Sequence, residues 1–305
     1  MTFAIKFRLG PPPLLRAIIR VVFSLRHTLL PACVAAGARA GAATDGAAVG
    51  GAGAGAAAAA AAVAGGGAAA ADSSGGAGGG AGGGATGAGA AAAGAGRGTV
   101  DFVSSRLEEI LAEEMRADNT SSIQERITRA YGLTDCLCKE ASVLTSGATA
   151  VTCLLREQHG KITIHAANIG DSRAVLARGG KAERLTYDHK AEDAAEQERV
   201  NAAGGFVLRN RVLGILAVSR SFGNQGMKDL VTAVPHVSET SVCPDCTFLI
   251  LACDGVWDVF TDNDAVSFVT QAMETMAEAD VAGALLRESL ARGSTDNITV
   301  VIVFF

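Results

Sequence analysis

Leu249-Ile-Leu-Ala-Cys-Asp-Gly-Val-Trp257 is the stretch from which the rest of the chain can be ordered. Residues 247–253 make a strongly apolar run of strand length that stops at an Asp-Gly pair, so Asp254 is a carboxylate delivered at a strand end. Trp257, just beyond, belongs to the core in this reading. On the C-terminal side helical spacing covers residues 262–276 and 280–292, the second stopped at Gly293, before a last strand at 298–305. On the N-terminal side lie strands at 236–242, 212–213 and 206–208 and a helix at 192–203 closed by Gly204-Gly205. Farther upstream, the β-branched runs 148–156 and 161–168, separated by the polar residues 157–160, give a hairpin signal, and 172–178 is a third strand followed by a Gly179-Gly180 turn. Two amphipathic helices precede them. In residues 100–116, Phe102, Val103, Leu107, Ile110, Leu111 and Met115 recur at helical spacing, and the helix at 121–139 opens on a Ser122-x-x-Glu125 capping box. Strands arriving in runs, with helices between some of the runs, predict an α/β layered domain with largely antiparallel sheets.

The pattern ends abruptly at Gly98. Between Ala35 and Gly98 only ten of 64 residues are neither Ala nor Gly, so the 49% hydrophobic content of the 305-residue chain is inflated by alanine. Such a segment cannot bury enough large side chains to offset about 1–2 kcal/mol per residue of backbone ordering. Its longest uninterrupted alanine run, 56–62, is short of the ~12–15 residues that even a marginal helix needs. The expected organisation is therefore a possible targeting segment at 1–34, a disordered Ala/Gly linker at 35–98, and one folded domain at 99–305. Residues 1–44 carry no acid, and Arg16 and Arg20 sit one turn apart in a basic amphipathic helix expected over about 14–30. That segment resembles an organelle transit peptide, for a plastid or mitochondrion, the alternatives being an interfacial helix or an artefact of gene prediction.

Charge divides the chain in the same place. Residues 1–98 hold seven Lys/Arg against two Asp, whereas 99–305 hold 19 basic against 29 acidic residues. A domain with a net charge of −10 offers no nucleic-acid footprint. Seven cysteines, an odd number set mostly in apolar runs, read as reduced thiols of an intracellular protein of cytoplasm or nucleus unless the leader directs it to an organelle. No apolar run outside the Ala/Gly tract is long enough to span a membrane. A monomer is expected.

Three aspartates stand beside apolar strands: Asp171 in Asn168-Ile-Gly-Asp-Ser-Arg173, Asp254, and Asp296 in Gly293-Ser-Thr-Asp-Asn-Ile298. Each alone is an ordinary turn residue. Together, carboxylates at strand ends among small residues suit a hard cation, Mg2+ or Mn2+. Cys243-Pro-Asp-Cys246 is a lone Cys-x-x-Cys with no further ligand to complete a zinc site, so it reads as a turn, with a redox-sensitive thiol pair as the alternative. His189 is taken as a structural loop residue rather than a base.

The local sequences resemble the metal-dependent Ser/Thr protein phosphatases of type 2C, the PPM family. The stretches that carry the resemblance are Ser146-Gly-Ala-Thr-Ala150, Ala167-Asn-Ile-Gly-Asp-Ser-Arg-Ala-Val175, Leu185-Thr-Tyr-Asp-His-Lys190, Glu198-Arg-Val-Asn-Ala-Ala-Gly-Gly205, Leu216-Ala-Val-Ser-Arg-Ser-Phe-Gly223, Phe248-Leu-Ile-Leu-Ala-Cys-Asp-Gly-Val-Trp-Asp-Val259 and Ser294-Thr-Asp-Asn-Ile-Thr-Val300. They cover about residues 100–305 in family order. The resemblance implies a β-sandwich of two mainly antiparallel sheets flanked by helices, with two metal ions per complete site. A metal-activated water would hydrolyse phosphoserine or phosphothreonine in a phosphoprotein substrate. On that pattern Asp254 and Asp296 match carboxylates of the binuclear site, and Asp171 matches an Asp tied to an additional, weaker metal.

Part of the family pattern has no counterpart. The family's phosphate-binding Arg, the Glu of a Met-Glu-Asp segment, and the Asp-Gly-His-Gly-Gly motif, whose Asp bridges the metals and whose His the resemblance implies as general acid, are not found, and Ala92-Ala-Gly-Ala-Gly96 stands where that motif belongs. Asn224 stands where the family usually has Asp. The domain is thus expected to be truncated on its N-terminal side, with sheet edges exposed by the loss of two strands. Two functions follow: an incomplete form of an active phosphatase, or a catalytically inactive phosphatase-like regulatory or binding protein. No catalytic residue is identified.

Overall fold

The computed structural model describes residues 98–117, 120–141, 146–158 and 160–305, and the backbone of residues 2–4, 20–22 and 58–64. Two sheets lie face to face. The first has strand order β1 (Thr2–Ala4), β13 (Val300–Phe304), β12 (Cys246–Ala252), β6 (Arg173–Arg178) and β7 (Lys181–Arg184). The second runs β11 (His236–Ser241), β5 (Lys161–Ile169), β4 (Gly147–Gln158), β3 (Ala58–Ala64) and β2 (Arg20–Val22), with β10 (Phe222–Gly223) also on β4. Pairing is antiparallel except for β1 with β13 and β2 with β3. This is the layered α/β sandwich that the sequence predicts.

The apolar run around Leu249 has no polar face because both of its faces are covered. Leu249, Leu251 and Cys253 point into the seam between the sheets, against Val151, Cys153, Ile164, Ala166, Leu176, Val301 and Val303. Phe248, Ile250 and Ala252 point outward under α5 (Asp262–Thr275) and α6 (Glu278–Ala291), where Val266, Val269, Val281 and Leu285 meet them. Exposed antiparallel sheets alternate apolar and polar residues; a central strand of a four-layer stack cannot. On the outer face of the second sheet, α1 (Gly98–Ala117) and α2 (Ile123–Glu140) cover Ala148, Ala150, Ala167 and Ile169 with Val103, Leu107, Ile127 and Tyr131. The capping box forms: the Ser122 amide donates to Glu125 Oε2 at 2.8 Å and the Glu125 amide to Ser122 Oγ at 3.2 Å. A smaller unit, α3 (Ala194–Ala202) and the hairpin of β8 (Val207–Leu208) and β9 (Arg211–Val212), packs its own cluster on Val200, Val212, Leu216 and Val231.

The leader differs from expectation where it is described. Ala58–Ala64 is a strand with its register running from Ala58 opposite Leu155 to Ala64 opposite Thr149, inside the segment expected to be a disordered linker. Arg20–Val22, within the expected 14–30 helix, is also a strand. The reason is local demand. β4 and β13 are buried strands whose outer edges carry unpaired N–H and C=O groups, and alanine's helix propensity is a weak preference that a waiting ladder outweighs. The edges of β4 and β13 expected to lie exposed are therefore covered, by β3 and β1 respectively. The remainder of 1–97 lies outside the described residues. Elsewhere the sequence misses β7, whose hairpin to β6 uses the Gly179-Gly180 turn at positive φ, and β10.

Candidate metal site

The quoted stretch builds the site. β12 ends at Ala252, Cys253 is extended, and the backbone turns into the single helical turn α4 (Asp254–Trp257). Trp257 is buried as expected: its indole N–H donates to the Ala252 carbonyl at 2.9 Å and the Arg173 guanidinium lies 5.0 Å from the ring centroid. This turn is clipped to the loop before β13. Ser294 Oγ donates to the Gly255 carbonyl at 2.6 Å, and Cys253 Sγ lies 3.1 Å from the Asn297 carbonyl. Gly255 is required here, because a Cβ on it would stand 2.4 Å from the Asn297 oxygen. The close approach brings Asp254 and the exposed Asp296 within electrostatic reach of each other.

Asp171 comes from the other end of the chain's core. Gly170 has φ +84°, and a Cβ on it would meet Thr149, so the turn after β5 needs glycine. Buried Asn168 fixes this turn: its amide donates to the Tyr187 carbonyl at 2.6 Å and the Gly170 carbonyl at 3.2 Å, and its Oδ1 accepts from the Tyr187 amide at 3.2 Å. Arg173 then pairs with Asp188 and, at 2.6 Å, with Asp262, tying the turn to α5.

The structure therefore gathers Asp171, Asp254 and Asp296, and adds two residues that sequence reasoning passed over, Asp258 and Lys190. Asp258 stands four residues after Asp254, one helical turn on, and that spacing within the quoted motif was the available signal. Burial, then the charges of Asp171, Asp296 and Asp258, push the Asp254 carboxyl up to about 8. Burial likewise raises Asp171 to about 6, against the pull of Lys190. Lys190 lies 3.3 Å from Asp258; burial opposes its charge, but Asp258, Asp171 and Asp188 hold its pKa above the ordinary lysine value. One ammonium faces several carboxylates. Such a site is short of positive charge, and its donors are all hard oxygens, the chemistry that fits Mg2+ or Mn2+. The carboxylates do not converge on one point: among the described residues no group of three or more His, Cys, Asp or Glu side chains is arranged to hold an ion.

His189 does not join them. It is buried, its Nδ1 lies 3.2 Å from the Gly170 carbonyl, and its Nε2 has no hydrogen-bond partner, as suits a structural histidine beneath the Asp171 turn. Asn224 holds a left-handed conformation at φ 49° and donates to Ser221 Oγ at 2.8 Å, a role in the β10 turn rather than in the carboxylate cluster.

Comparison with known proteins decides the family. The sequence model of protein phosphatase 2C matches residues 90–298. The chain belongs to the protein phosphatase 2C family. It is 38% identical over 212 residues to protein phosphatase 2C homolog 1 of Saccharomyces cerevisiae, covering 65% of this chain and 74% of that one. It is 42% identical over 191 residues to probable protein phosphatase 2C 69 of Arabidopsis thaliana, covering 61% of this chain and 52% of that one. Against protein phosphatase 2C homolog 1 of Schizosaccharomyces pombe it covers 59% of the relative, so this chain spans about half to three quarters of these proteins. Among solved structures, a serine-threonine phosphatase 2C from Toxoplasma gondii aligns with TM-score 0.54 and 26% identity over 68% of this chain and 79% of that one. A Caenorhabditis elegans sex determining protein aligns with TM-score 0.63 and 25% identity over 69% of this chain and 54% of that one. The family is metal-dependent. No helix among the described residues of this protein phosphatase 2C member is long and apolar enough to cross a membrane.

Proposed function

We propose that the chain is a metal-dependent protein serine/threonine phosphatase whose site is built on Asp254, Asp296 and Asp171, with Asp258 at its edge. The observation that carries this reading is the match of the protein phosphatase 2C model to residues 90–298, the stretch that holds all three aspartates. Folding brings these like charges within reach of one another, with Lys190 opposing them at Asp171, the arrangement expected of a cation site. Mg2+ or Mn2+ bound there, two ions in a complete site, would lower the pKa of water and neutralise charge on a phosphoryl group. The chain's own part is to hold carboxylate oxygens in place. The clip between Gly255 and Ser294 sets the spacing of Asp254 from Asp296, and Asn168 with Arg173 anchors the turn that carries Asp171. Lys190 pairs with Asp258 at 3.3 Å and also lowers the Asp171 carboxyl. Phosphoserine and phosphothreonine in proteins are the proposed substrates.

The described carboxylates do not close on an ion by themselves, and the sequence has no Asp-Gly-His-Gly-Gly run. The expected behaviour of the 305-residue chain is therefore weak Mn2+ binding and near-background hydrolysis of a phosphopeptide. The experiment grafts Asp-Gly-His-Gly-Gly and the strand before it ahead of Arg97. Hydrolysis with Mn2+ is expected to appear, and Asp254→Ala or Asp296→Ala to lower it by about 100-fold or more, beyond the 10- to 100-fold cost of losing even an outer-sphere partner. A folded graft that stays inactive, or activity indifferent to Asp254→Ala, would overturn the proposal.

A further inference from the structure

At the opposite end of β12 from Asp254 lies the Cys243-Pro-Asp-Cys246 turn, which the phosphatase chemistry does not use. The turn is closed by the Cys246 amide donating to the Cys243 carbonyl at 2.9 Å, and the Gly179 amide ties it to the β6–β7 hairpin by donating to the Asp245 carbonyl at 2.8 Å. The two sulfurs stand 3.2 Å apart, so reaching the ~2.05 Å of a disulfide needs a shift of little more than ~1 Å. The shift has slack to draw on, because the β12–β6 register carries an irregularity between Cys246 and Phe248. The sulfurs differ in surroundings. Cys243 is partly exposed and accepts a hydrogen bond from Arg178 Nη1 at 2.8 Å, whereas Cys246 is buried. Arg178 is itself held, its Nε on Glu183 at 2.6 Å and its Nη2 on the Ser241 carbonyl at 3.2 Å.

We infer that Cys243 and Cys246 form a dithiol site whose substrate is a hydroperoxide, Cys243 being the attacking thiolate and Cys246 the resolving thiol. Hydrogen bonding from Cys246, the Asp245 amide and Arg178 holds the Cys243 thiol below its ordinary range, while burial raises Cys246. The other displaced thiols among the described residues, Cys138, Cys153 and Cys253, are all pushed upward by burial. In the first step the Cys243 thiolate attacks the peroxide: an S–O bond forms, the O–O bond breaks, and the alkoxide or hydroxide leaves as alcohol or water with a proton from solvent. In the second, Cys246 sulfur attacks the Cys243 sulfenic acid: the S–S bond forms, the S–O bond breaks, and water leaves carrying the Cys246 proton. Two thiols are oxidised by two electrons and one peroxide is reduced.

Exposed Cys136 and buried Cys153 are built-in references. The full chain, reduced and then treated with hydrogen peroxide, is quenched with N-ethylmaleimide over a time course and mapped by peptide mass spectrometry. Cys243 is expected to be consumed about tenfold faster than Cys136, ending in a disulfide to Cys246. In Cys246→Ser, Cys243 should stop as a sulfenic acid trapped by dimedone, and in Cys243→Ser, Cys246 should stay reduced. Arg178→Gln should slow Cys243 alone, with Cys153 still protected as proof of folding. Should Arg178→Gln expose Cys153, the two cysteine variants decide the matter by themselves. Equal rates at Cys136 and Cys243, or no disulfide between Cys243 and Cys246, would overturn the inference.

Discussion

His189 is buried and Asp254 half-buried, and their shifts predict opposite responses to pH. Asp254, raised from an ordinary 3.8 to about 8, favours the folded state while protonated, so its contribution is full below about 3.8 and is lost as pH rises through 8. Asp254→Asn is therefore expected to raise the Tm of the metal-free protein at pH 8 by a few degrees and to leave it unchanged near pH 4. The same variant should abolish any rise in Tm with Mn2+, and a scanning calorimeter reads both. His189 is displaced the other way, from 6.5 to about 3, by burial and by Arg220. Its stabilisation is present above 6.5 and is lost as pH falls toward 3. His165 and His236 are depressed too, so wild type and His189→Asn must be compared. The Tm of the variant is expected to fall less steeply between pH 7 and 5, and parallel curves would show that His189 is not the sensor.

The β12–α4 turn is the element that joins stability to function. Its strand is locked from both faces: Leu251 is fully buried in the seam, and truncating it to Ala should cost about 2–5 kcal/mol by urea denaturation. Its glycine is locked by approach. Gly255→Ala forces a methyl against the Asn297 carbonyl, and the loop of Asp296 must move away from Asp254. The expected result is a loss of Mn2+-induced stabilisation larger than the fall in metal-free stability would account for, measured as Tm with and without Mn2+. A variant that keeps the full metal response would show that the clip does not set the carboxylate spacing.

Across the whole molecule the open question is what completes the two sheets. β3 supplies a ladder to β4 from Thr149 to Leu155, and in that ladder Ala61 faces Thr152. Proline has no N–H and is excluded from such a position, so Ala61→Pro should lower Tm and speed amide exchange along Thr149–Leu155. Unchanged protection in β4 would show that its edge does not depend on the alanine run.

Residue order alone determined the strand before Asp254, the helices over it, the capping box at Ser122 and the family motifs, because each depends on periodicity or on residues a few positions apart. Composition breaks at Gly98, yet Thr2–Ala4, Arg20–Val22 and Ala58–Ala64 on its other side pair into the two sheets. Lys190 was not picked out, because what brings it to the site is proximity through space: it reaches Asp258 across 68 residues, whereas Asp258 itself lies one turn after Asp254. The strand at Ala58–Ala64 was hidden for a related reason. An alanine run has no pattern of its own, and only the unpaired backbone of β4, where Thr152 faces Ala61 across 91 residues, decides that it is extended. Local order specifies which elements form; the long-range ladder and the approach of like charges from distant turns, which no local pattern encodes, are decided by tertiary structure.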